Sequence, residues 1–178
     1  PDLLPINGVA LYYNTLIVST ENGRLWKLTG SDSLDFQWLP FYPNSSAGGT
    51  GTNCESMANI GNDVVYMKNN GSIESLVTTQ DFGDISTDDL SRWIRELTAD
   101  LSVSRIVYDQ KRQKVYFFAA SNMLLVLFKD MQDSGLSPWS RYKTTHASSF
   151  DTNVAIYMRQ PGGTEWFVYF GGSTGQIY

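Results

Sequence analysis

Residues 64–77 read VVYMKNNGSIESLV, two short apolar segments joined by a turn that contains Asn70 and Gly71. Asn-Gly tolerates the positive φ angles of a tight turn between antiparallel strands, so this stretch predicts a β-hairpin. Three further stretches share the pattern: LIVSTENGRLWKL (16–28), VYFFAASNMLLVLF (115–128) and WFVYFGGSTGQIY (166–178). The sequence is therefore organised around four similar hairpins.

The four predicted hairpins recur at a nearly constant interval. Each turn is represented by one aligned residue: Gly23, Gly71, Asn122 and Gly175. The spacings between these residues are 48, 51 and 53. A further strand is predicted before each hairpin, at Val9–Tyr13, Glu55–Ile60, Arg105–Tyr108 and Val154–Met158. A fourth strand is predicted after each of the first three hairpins, most clearly at Phe36–Phe41 and Trp139–Lys143.

A repeat of about 50 residues with three or four antiparallel strands has the size of one β-propeller blade. We therefore expect a mainly β fold of antiparallel propeller-like repeats, in one domain spanning residues 1–178. A β-sandwich is the alternative, but its strands usually recur every 8–12 residues or so without a longer period. Because the sequence begins with Pro1 and ends at Tyr178 inside a predicted strand, we expect it to be part of a longer chain.

One segment departs from the β pattern: residues 86–102 read STDDLSRWIRELTADLS. Its apolar residues follow the spacing of one helix face, namely Leu90, Trp93, Ile94 and Leu97. Ser86 is suited to cap such a helix, and Asp88 and Asp89 would stabilise its first turn. We expect one short helix from about Thr87 to Thr98, with Trp93 packed on the sheet. The composition of Pro43–Asn53 predicts a loop.

The charge balance excludes several classes of protein. The chain has 13 basic and 18 acidic residues, a formal net charge of −5, and 17% charged residues. Binding to nucleic acid needs a basic surface, so we expect no sequence-specific nucleic-acid binding.

The longest apolar runs, Val115–Ala120 and Met123–Phe128, are too short to form a membrane segment. With one cysteine, the chain forms no internal disulfide.

The sequence offers no convincing catalytic or metal-binding set. The chain has one histidine, His146, and one cysteine, Cys54, and we expect no Gly-x-Ser-x-Gly nucleophile elbow. Cys54 lies where a strand is predicted to begin, which favours a small buried side chain. No Cys or His pair has zinc-ligand spacing. One acidic stretch does not match an EF-hand loop: Asp81, Asp84, Asp88 and Asp89. We expect a non-enzyme with no catalytic residue, no bound metal and no cofactor.

Two other kinds of cluster are predicted to be turns. Three glycine-rich stretches lack the Gly-Lys-Thr/Ser ending of a phosphate-binding loop: Gly48–Gly51, Gly162–Gly163 and Gly171–Gly172. The basic cluster Lys111–Lys114 coincides with the predicted hairpin turn Gln110–Gln113, so its charges are expected to be solvated.

Residues 53–142 contain four short motifs in succession. A hairpin that turns at Asn-Gly is followed by a short helix that opens with Ile-Ser and Leu-Ser, then by a hairpin with Tyr-Asp at its turn and a strand containing Trp-Ser-x-Tyr. The motifs are Asn70-Gly71, Ile85-Ser86 with Leu90-Ser91, Tyr108-Asp109, and Trp139–Tyr142. This succession resembles the propeller-containing tail proteins of short-tailed bacteriophages, the packaged-DNA stabilisation or tail-nozzle group.

This resemblance implies a virion structural protein: one subunit of a homo-oligomeric ring below the portal, through which DNA leaves. Its implied partners are portal or tail subunits, and its implied location is the tail of the virion. The acidic charge is compatible with a conduit that does not grip DNA.

A lectin-like propeller that recognises host-surface glycans is the alternative, with aromatic side chains as sugar platforms. A repeat lectin would be expected to repeat its binding residues. The five tryptophans do not recur at one repeat position: Trp26, Trp38, Trp93, Trp139 and Trp166. This favours the structural role.

Overall fold

The computed structural model describes residues 5–20, 24–46, 57–68, 71–78, 85–99, 103–119, 123–131, 137–143, 152–172 and 177. Over these ranges the chain is mainly β, with antiparallel sheets and short helical turns. It divides into two compact units, unit 1 (Pro1–Asp100) and unit 2 (Leu101–Tyr178).

Unit 1 contains two four-stranded sheets, each with its strands in chain order. Sheet 1 consists of β1 (Ile6–Tyr12), β2 (Thr15–Thr20), β3 (Arg24–Thr29) and β4 (Gln37–Ser46). Sheet 2 consists of β5 (Met57–Asn59), β6 (Val64–Met67), β7 (Ile73–Thr78) and β8 (Ile85–Asp89). The two sheets enclose one apolar core, made of Ala10, Tyr12, Ile17, Leu25, Met57, Val64, Tyr66 and Leu76.

Unit 2 also contains two antiparallel sheets, one with four described strands and one with two. Sheet 3 consists of β9 (Val103–Asp109), β10 (Lys114–Ala119), β11 (Met123–Phe128) and β12 (Trp139–Lys143). Sheet 4 consists of β13 (Thr152–Arg159) and β14 (Trp166–Gly172). Val107, Phe118, Leu124 and Val126 of sheet 3 form a core against sheet 4. The contacting residues of sheet 4 are Ala155, Tyr157, Val168 and Phe170.

The predicted repeat of antiparallel, propeller-like units is confirmed. In sheets 1, 2 and 3 the recurring hairpin joins the second strand to the third, and in sheet 4 Gly171 pairs with Ile177 in antiparallel fashion. Fourth strands follow the first three hairpins, as predicted. Gly71 has the positive φ that its turn requires, +81°. Gly23, Asn122 and Gly175 lie outside the described residues.

The predicted loop Pro43–Asn53 is partly wrong, because β4 continues to Ser46. Ser46 pairs with Arg24, and the register shifts on either side of Leu25. β4 is an edge strand of sheet 1. Proline is tolerated in edge strands, so Pro40 and Pro43 do not end β4. Residues 47–53 lie outside the described ranges.

The short helix occurs later than predicted. Ser86 and Asp88 belong to β8, which pairs with β7, and a 3₁₀ turn then covers Leu90–Trp93. The helix α1 is one turn long, Arg95–Thr98. The 3₁₀ turn is capped by Asp89, whose Oδ1 accepts hydrogen bonds from the Ser91 backbone N–H (2.9 Å) and hydroxyl (2.7 Å).

The predicted burial of Trp93 is wrong, and the reason lies in the break at Ile94. Ile94 has φ −130° and ψ 16°, so the 3₁₀ turn and α1 do not form one continuous helix. The spacing that places four apolar residues on one face assumes a continuous α-helix. As a result Leu90 is buried, whereas Trp93 is exposed, with the Arg92 guanidinium 5.8 Å from its ring centroid.

The turn at Gly71 packs directly on the end of α1. A Cβ atom at position 71 would lie 2.0 Å from the carbonyl oxygen of Thr98. The same contact region includes a hydrogen bond of 3.1 Å from the Ile73 N–H to the Ser91 Oγ. Only a glycine therefore allows this hairpin to approach the helix so closely.

Replacing Gly71 by alanine should be more destabilising than the same change at Gly61. Both residues have positive φ, which costs an alanine about 1–2 kcal/mol, but a Cβ at position 61 meets no atom within 4 Å. The overlap with Thr98 adds roughly 1–3 kcal/mol for Gly71→Ala. Urea unfolding of the two variants measures the difference. Equal losses of stability would show that the contact with Thr98 is absent.

The corrected helix geometry predicts opposite results for two neighbouring substitutions. Leu90→Ala should lower the free energy of unfolding by about 2–5 kcal/mol, because its side chain is buried. Trp93→Ala should lower it by no more than about 1 kcal/mol, since only an exposed cation–π contact is lost. Thermal unfolding compares them. A larger loss of stability for Trp93→Ala than for Leu90→Ala would indicate a continuous helix with Trp93 on its buried face.

Candidate functional site

The described part of unit 2 brings two hairpin turns together at one end of its sheets. The first turn, Gln110–Gln113, joins β9 to β10, and the second, Gln160–Glu165, joins β13 to β14. We call them the paired turns. The Lys111 N–H donates to the Tyr157 hydroxyl (3.3 Å), and Arg112 Nη1 donates to the carbonyl oxygen of Trp166 (3.1 Å). These bonds connect segments that are about 50 residues apart in the sequence.

Each turn is also closed by its own polar groups. In the first, Gln113 Nε2 donates to the carbonyl of Gln110 (2.6 Å), and the Tyr108 hydroxyl donates to Gln113 Oε1 (2.9 Å). In the second, the Gln160 N–H donates to the carbonyl of Glu165 (2.8 Å), and Arg159 Nε donates to the carbonyl of Gly163 (2.7 Å). The prediction that Gly162–Gly163 form a turn is confirmed.

The first turn depends on the buried carboxylate of Asp109. Its Oδ1 accepts from the Arg112 N–H (3.0 Å), and its Oδ2 accepts from Arg112 Nη1 (2.9 Å). The hydrogen bond that Arg112 donates to Asp109, together with the negative charge of that carboxylate, raises the pKa of Arg112. The guanidinium also lies 5.4 Å from the ring centroid of Phe167. Arg112 is therefore held by a carboxylate at the end of β9 and by a carbonyl and an aromatic ring at the start of β14.

A second ion pair joins the paired turns. Lys111 Nζ donates to Glu165 Oε2, and both side chains are about half exposed. The hydrogen bond and the positive charge of Lys111 lower the pKa of Glu165. The pairing therefore contributes above the ordinary pKa of a glutamate and is lost as the pH falls through the lowered value. Solvent screening keeps this contribution small.

An aromatic pair lies beside these charges. Tyr157 and Trp166 stack, with 5.2 Å between ring centroids and 27° between ring planes, and Trp166 remains exposed. Both carboxylates of the paired turns, Asp109 and Glu165, already bind cations, so neither is a free acid or base. A flat aromatic surface with exposed polar groups is suited to binding a protein or a carbohydrate.

The exposed apolar side chains of the described strands concentrate on two faces. The outer face of sheet 4 carries Val154, Ile156, Met158 and Phe167. The outer face of sheet 1 carries Ile6, Val9 and Leu11. Strand alternation turns the intervening residues of β1 and β13, such as Ala10 and Tyr157, toward the two cores. The names outer face of sheet 4 and outer face of sheet 1 refer to these residues throughout.

The structure brings together only part of the clusters singled out in the sequence. Lys111 and Arg112 of the basic cluster pair with Glu165 and Asp109, and Lys114 begins β10 with its Nζ 4.8 Å from the centroid of Phe128. Several other candidates lie outside the described residues: His146, Cys54, Asp81, Asp84 and Gly48–Gly51. Among the described residues, no group of three or more His, Cys, Asp or Glu side chains is placed to hold a metal ion.

Two expectations about residues 171–175 are wrong. The letters Gly-x-Ser-x-Gly do occur there, as GGSTG, although their absence was expected. A nucleophile elbow joins a strand to a helix, whereas here Gly171 pairs back with Ile177 as in a hairpin. Gly171 and Gly172 also belong to β14 and not to a turn. Ser173 lies outside the described residues.

In the described ranges, no helix has the length and apolarity needed to cross a bilayer.

No protein-family model matches the chain, and no curated protein matches it. Among solved structures, the chain is similar to the β-propeller domain of Cps50 (Swd1) from Myceliophteria thermophila, with a TM-score of 0.58 and 11% identity. The match covers 97% of this chain and 53% of that chain, so this chain spans about half the length of the propeller it matches.

The two ion pairs of the paired turns should respond differently to neutralisation. Asp109→Asn should lower the free energy of unfolding by about 1–3 kcal/mol, because a buried acceptor loses its charge. Glu165→Gln should leave the unfolding midpoint unchanged, since Lys111 and Glu165 are both well solvated. Urea unfolding at neutral pH makes the comparison. Equal shifts in the two variants would contradict the assigned burial of Asp109.

Proposed function

We propose that the chain is a structural protein of a bacteriophage tail. In this role it is one subunit of a homo-oligomeric ring below the portal, which retains packaged DNA and conducts it during ejection. Its partners are other virion proteins, portal or tail subunits, and its location is the virion. It is not an enzyme and takes no cofactor.

The observation that carries this proposal is the order of elements over residues 53–142. A hairpin turns at Gly71, a helical segment starts at Leu90, and a second hairpin has Asp109 beside its turn. β12 then begins at Trp139. Apart from Ile85-Ser86, which belong to β8 and not to the helix, this succession supports the resemblance to phage tail proteins, in which the same motifs follow in this order. The fold likeness to a propeller domain is compatible with it.

Surface chemistry also supports a role in assembly. A ring is built from heterologous contacts, in which one surface of a subunit meets a different surface of the next. The chain has few charges, and its outer faces of sheets 1 and 4 expose apolar side chains that water solvates poorly. The paired turns add a rigid polar and aromatic surface, and β4, which includes Pro43, forms an edge of sheet 1. A net charge of −5 suits a channel that repels DNA.

One observation favours a second candidate function, the lectin-like propeller. The stacked Tyr157 and Trp166, with Lys111 and Glu165 beside them, have the form of a sugar platform with polar neighbours. Trp26, Trp38 and Trp139 do not occupy the corresponding position in their sheets. A lectin role would therefore rest on one site and not on a repeated one.

Deleting the gene should give phage particles that package DNA but then leak it, or that lack complete tails. The reason is that a ring subunit below the portal closes the exit channel. Electron microscopy and nuclease sensitivity of the packaged DNA measure this, with the gene supplied in trans as the control. Normal tails and stable full heads in the mutant would contradict the proposal.

A glycan-binding assay separates the second candidate from the first. Binding that is lost in Trp166→Ala but kept in Trp93→Ala, a change at another exposed tryptophan, would favour the lectin-like role. Absence of glycan binding together with leaking particles is the result that the phage proposal predicts.

A further inference from the structure

The charges of the chain are distributed unequally between its two units. Unit 1 has 5 basic and 13 acidic residues, whereas unit 2 has 8 basic and 5 acidic residues. No lysine or arginine occurs between Lys27 and Lys68, and no aspartate or glutamate occurs between Asp133 and Asp151. Opposite charges in two parts of one chain favour contacts between copies, because the acidic part of one copy attracts the basic part of the next.

Unit 1 exposes apolar side chains within its stretch without basic residues. Leu34, in the turn between β3 and β4, is 95% exposed, and Phe36 and Trp38 at the start of β4 are also exposed. These three side chains are called the apolar turn surface. They lie at the edge of sheet 1, because β4 is its last strand. Large apolar side chains exposed side by side mark an interaction site.

Two carboxylates hold this turn in one conformation. Asp35 Oδ1 accepts from the N–H groups of Ser31 (2.9 Å) and Asp32 (2.8 Å). Asp32 Oδ1 accepts from the N–H of Leu34 (2.8 Å). Among the described residues, no lysine or arginine pairs with either carboxylate. The apolar turn surface is therefore pre-organised, which lowers the entropy cost of binding, and it carries two negative charges without a cation.

The end of β12 has the complementary chemistry. Arg141, Tyr142 and Lys143 are all exposed there, on the last strand of sheet 3, and they are called the basic strand end. Their cross-strand partners on β11 are apolar: Leu125, Leu124 and Met123. In the part of the chain that the structure describes, neither Arg141 nor Lys143 pairs with a carboxylate. Two positive charges without an anion therefore flank an exposed tyrosine.

We propose that the apolar turn surface of one copy packs on the basic strand end of a second copy of this chain. The choice of a second copy follows from charge complementarity, because Asp32 and Asp35 would meet two cations that also lack a partner. The aliphatic stems of the arginine and the lysine would cover apolar surface, and the Tyr142 ring would add an aromatic contact. Pro40 has no N–H to donate, so the two edge strands meet through side chains and not through a continuous ladder.

This contact joins two different surfaces, so it is heterologous and can continue from copy to copy until a ring closes. It names the partner surface for the homo-oligomeric part of the proposed function and rests on that part, but not on the phage setting. Because exposed charges contribute to it, the contact should weaken as salt screens them.

A charge-swap experiment tests the contact with the full chain. Sedimentation velocity at about 100 µM, a concentration suited to a small contact, should show wild-type species larger than a monomer. Asp32→Lys and Arg141→Glu should each weaken self-association by at least about tenfold, because each places like charges together. An equimolar mixture of the two variants should associate again. At one contact the introduced ammonium would meet the introduced carboxylate, and the other contact would be wild type.

A matched control uses Glu96, an exposed acidic residue of α1 in unit 1. Glu96→Lys makes the same change of charge away from the turn and should leave association intact. Unchanged unfolding midpoints will show that the substitutions act on association and not on folding. Asp32→Asn keeps an acceptor for the Leu34 N–H and should still weaken association, which separates the lost charge from the lost hydrogen bond.

Three results would each overturn the inference. They are a monomeric wild-type chain, a mixture that associates no better than either variant alone, and an equal loss of association in Glu96→Lys and Asp32→Lys. Self-association that survives both charge changes would leave a homo-oligomer but place its contact elsewhere. None of these results would alter the DNA-leakage test of the phage role.

Discussion

A β-sheet that is apolar on both faces has to be covered on both faces, and most of this structure depends on that constraint. Successive residues of a strand point to opposite faces, yet Val64, Val65, Tyr66 and Met67 of β6 are all buried. The five residues from Met123 to Leu127 of β11 are buried in the same way. An antiparallel sheet with one solvated face would instead alternate apolar and polar residues. Sheets of this composition are stable only when they are stacked, and the sequence supplies the strands of a further sheet about every 50 residues.

Local chemistry explains which parts of the fold could be predicted from the sequence. The hairpins and their period depend on turn residues and short apolar runs, and β12 has the predicted bounds, Trp139–Lys143. The start of the helix could not be predicted, because Ile85–Asp89 become a strand by pairing with β7, a contact that the segment itself does not encode. The prediction for Trp93 failed for a related reason, since one non-helical residue, Ile94, interrupts the helix and changes which side chains share a face.

Only half of the candidate site could be identified from the sequence. The basic turn at Lys111 and Arg112 could be recognised, but their respective partners Glu165 and Trp166 each lie 54 residues further along. In the sequence, the signal for a turn that is closed by its own polar groups was Asp109, the acidic residue just before the turn. For the outer faces, the residues could be identified from the sequence but their surroundings could not. The alternation of Val154, Ile156 and Met158 is plain in the sequence, but their exposure depends on what packs against sheet 4.

Methionine oxidation tests most directly whether the outer face of sheet 4 is covered, as the proposed role in an assembly requires. Met158 lies on that face and Met131 lies in a 3₁₀ turn, Lys129–Met131, and within one chain they are 37% and 36% exposed. Exposed methionines are converted to sulfoxides by peroxide, which peptide mass spectrometry can follow for each residue. If the face is covered, Met158 should be oxidised much more slowly than Met131. Equal oxidation rates at the two residues would contradict the account.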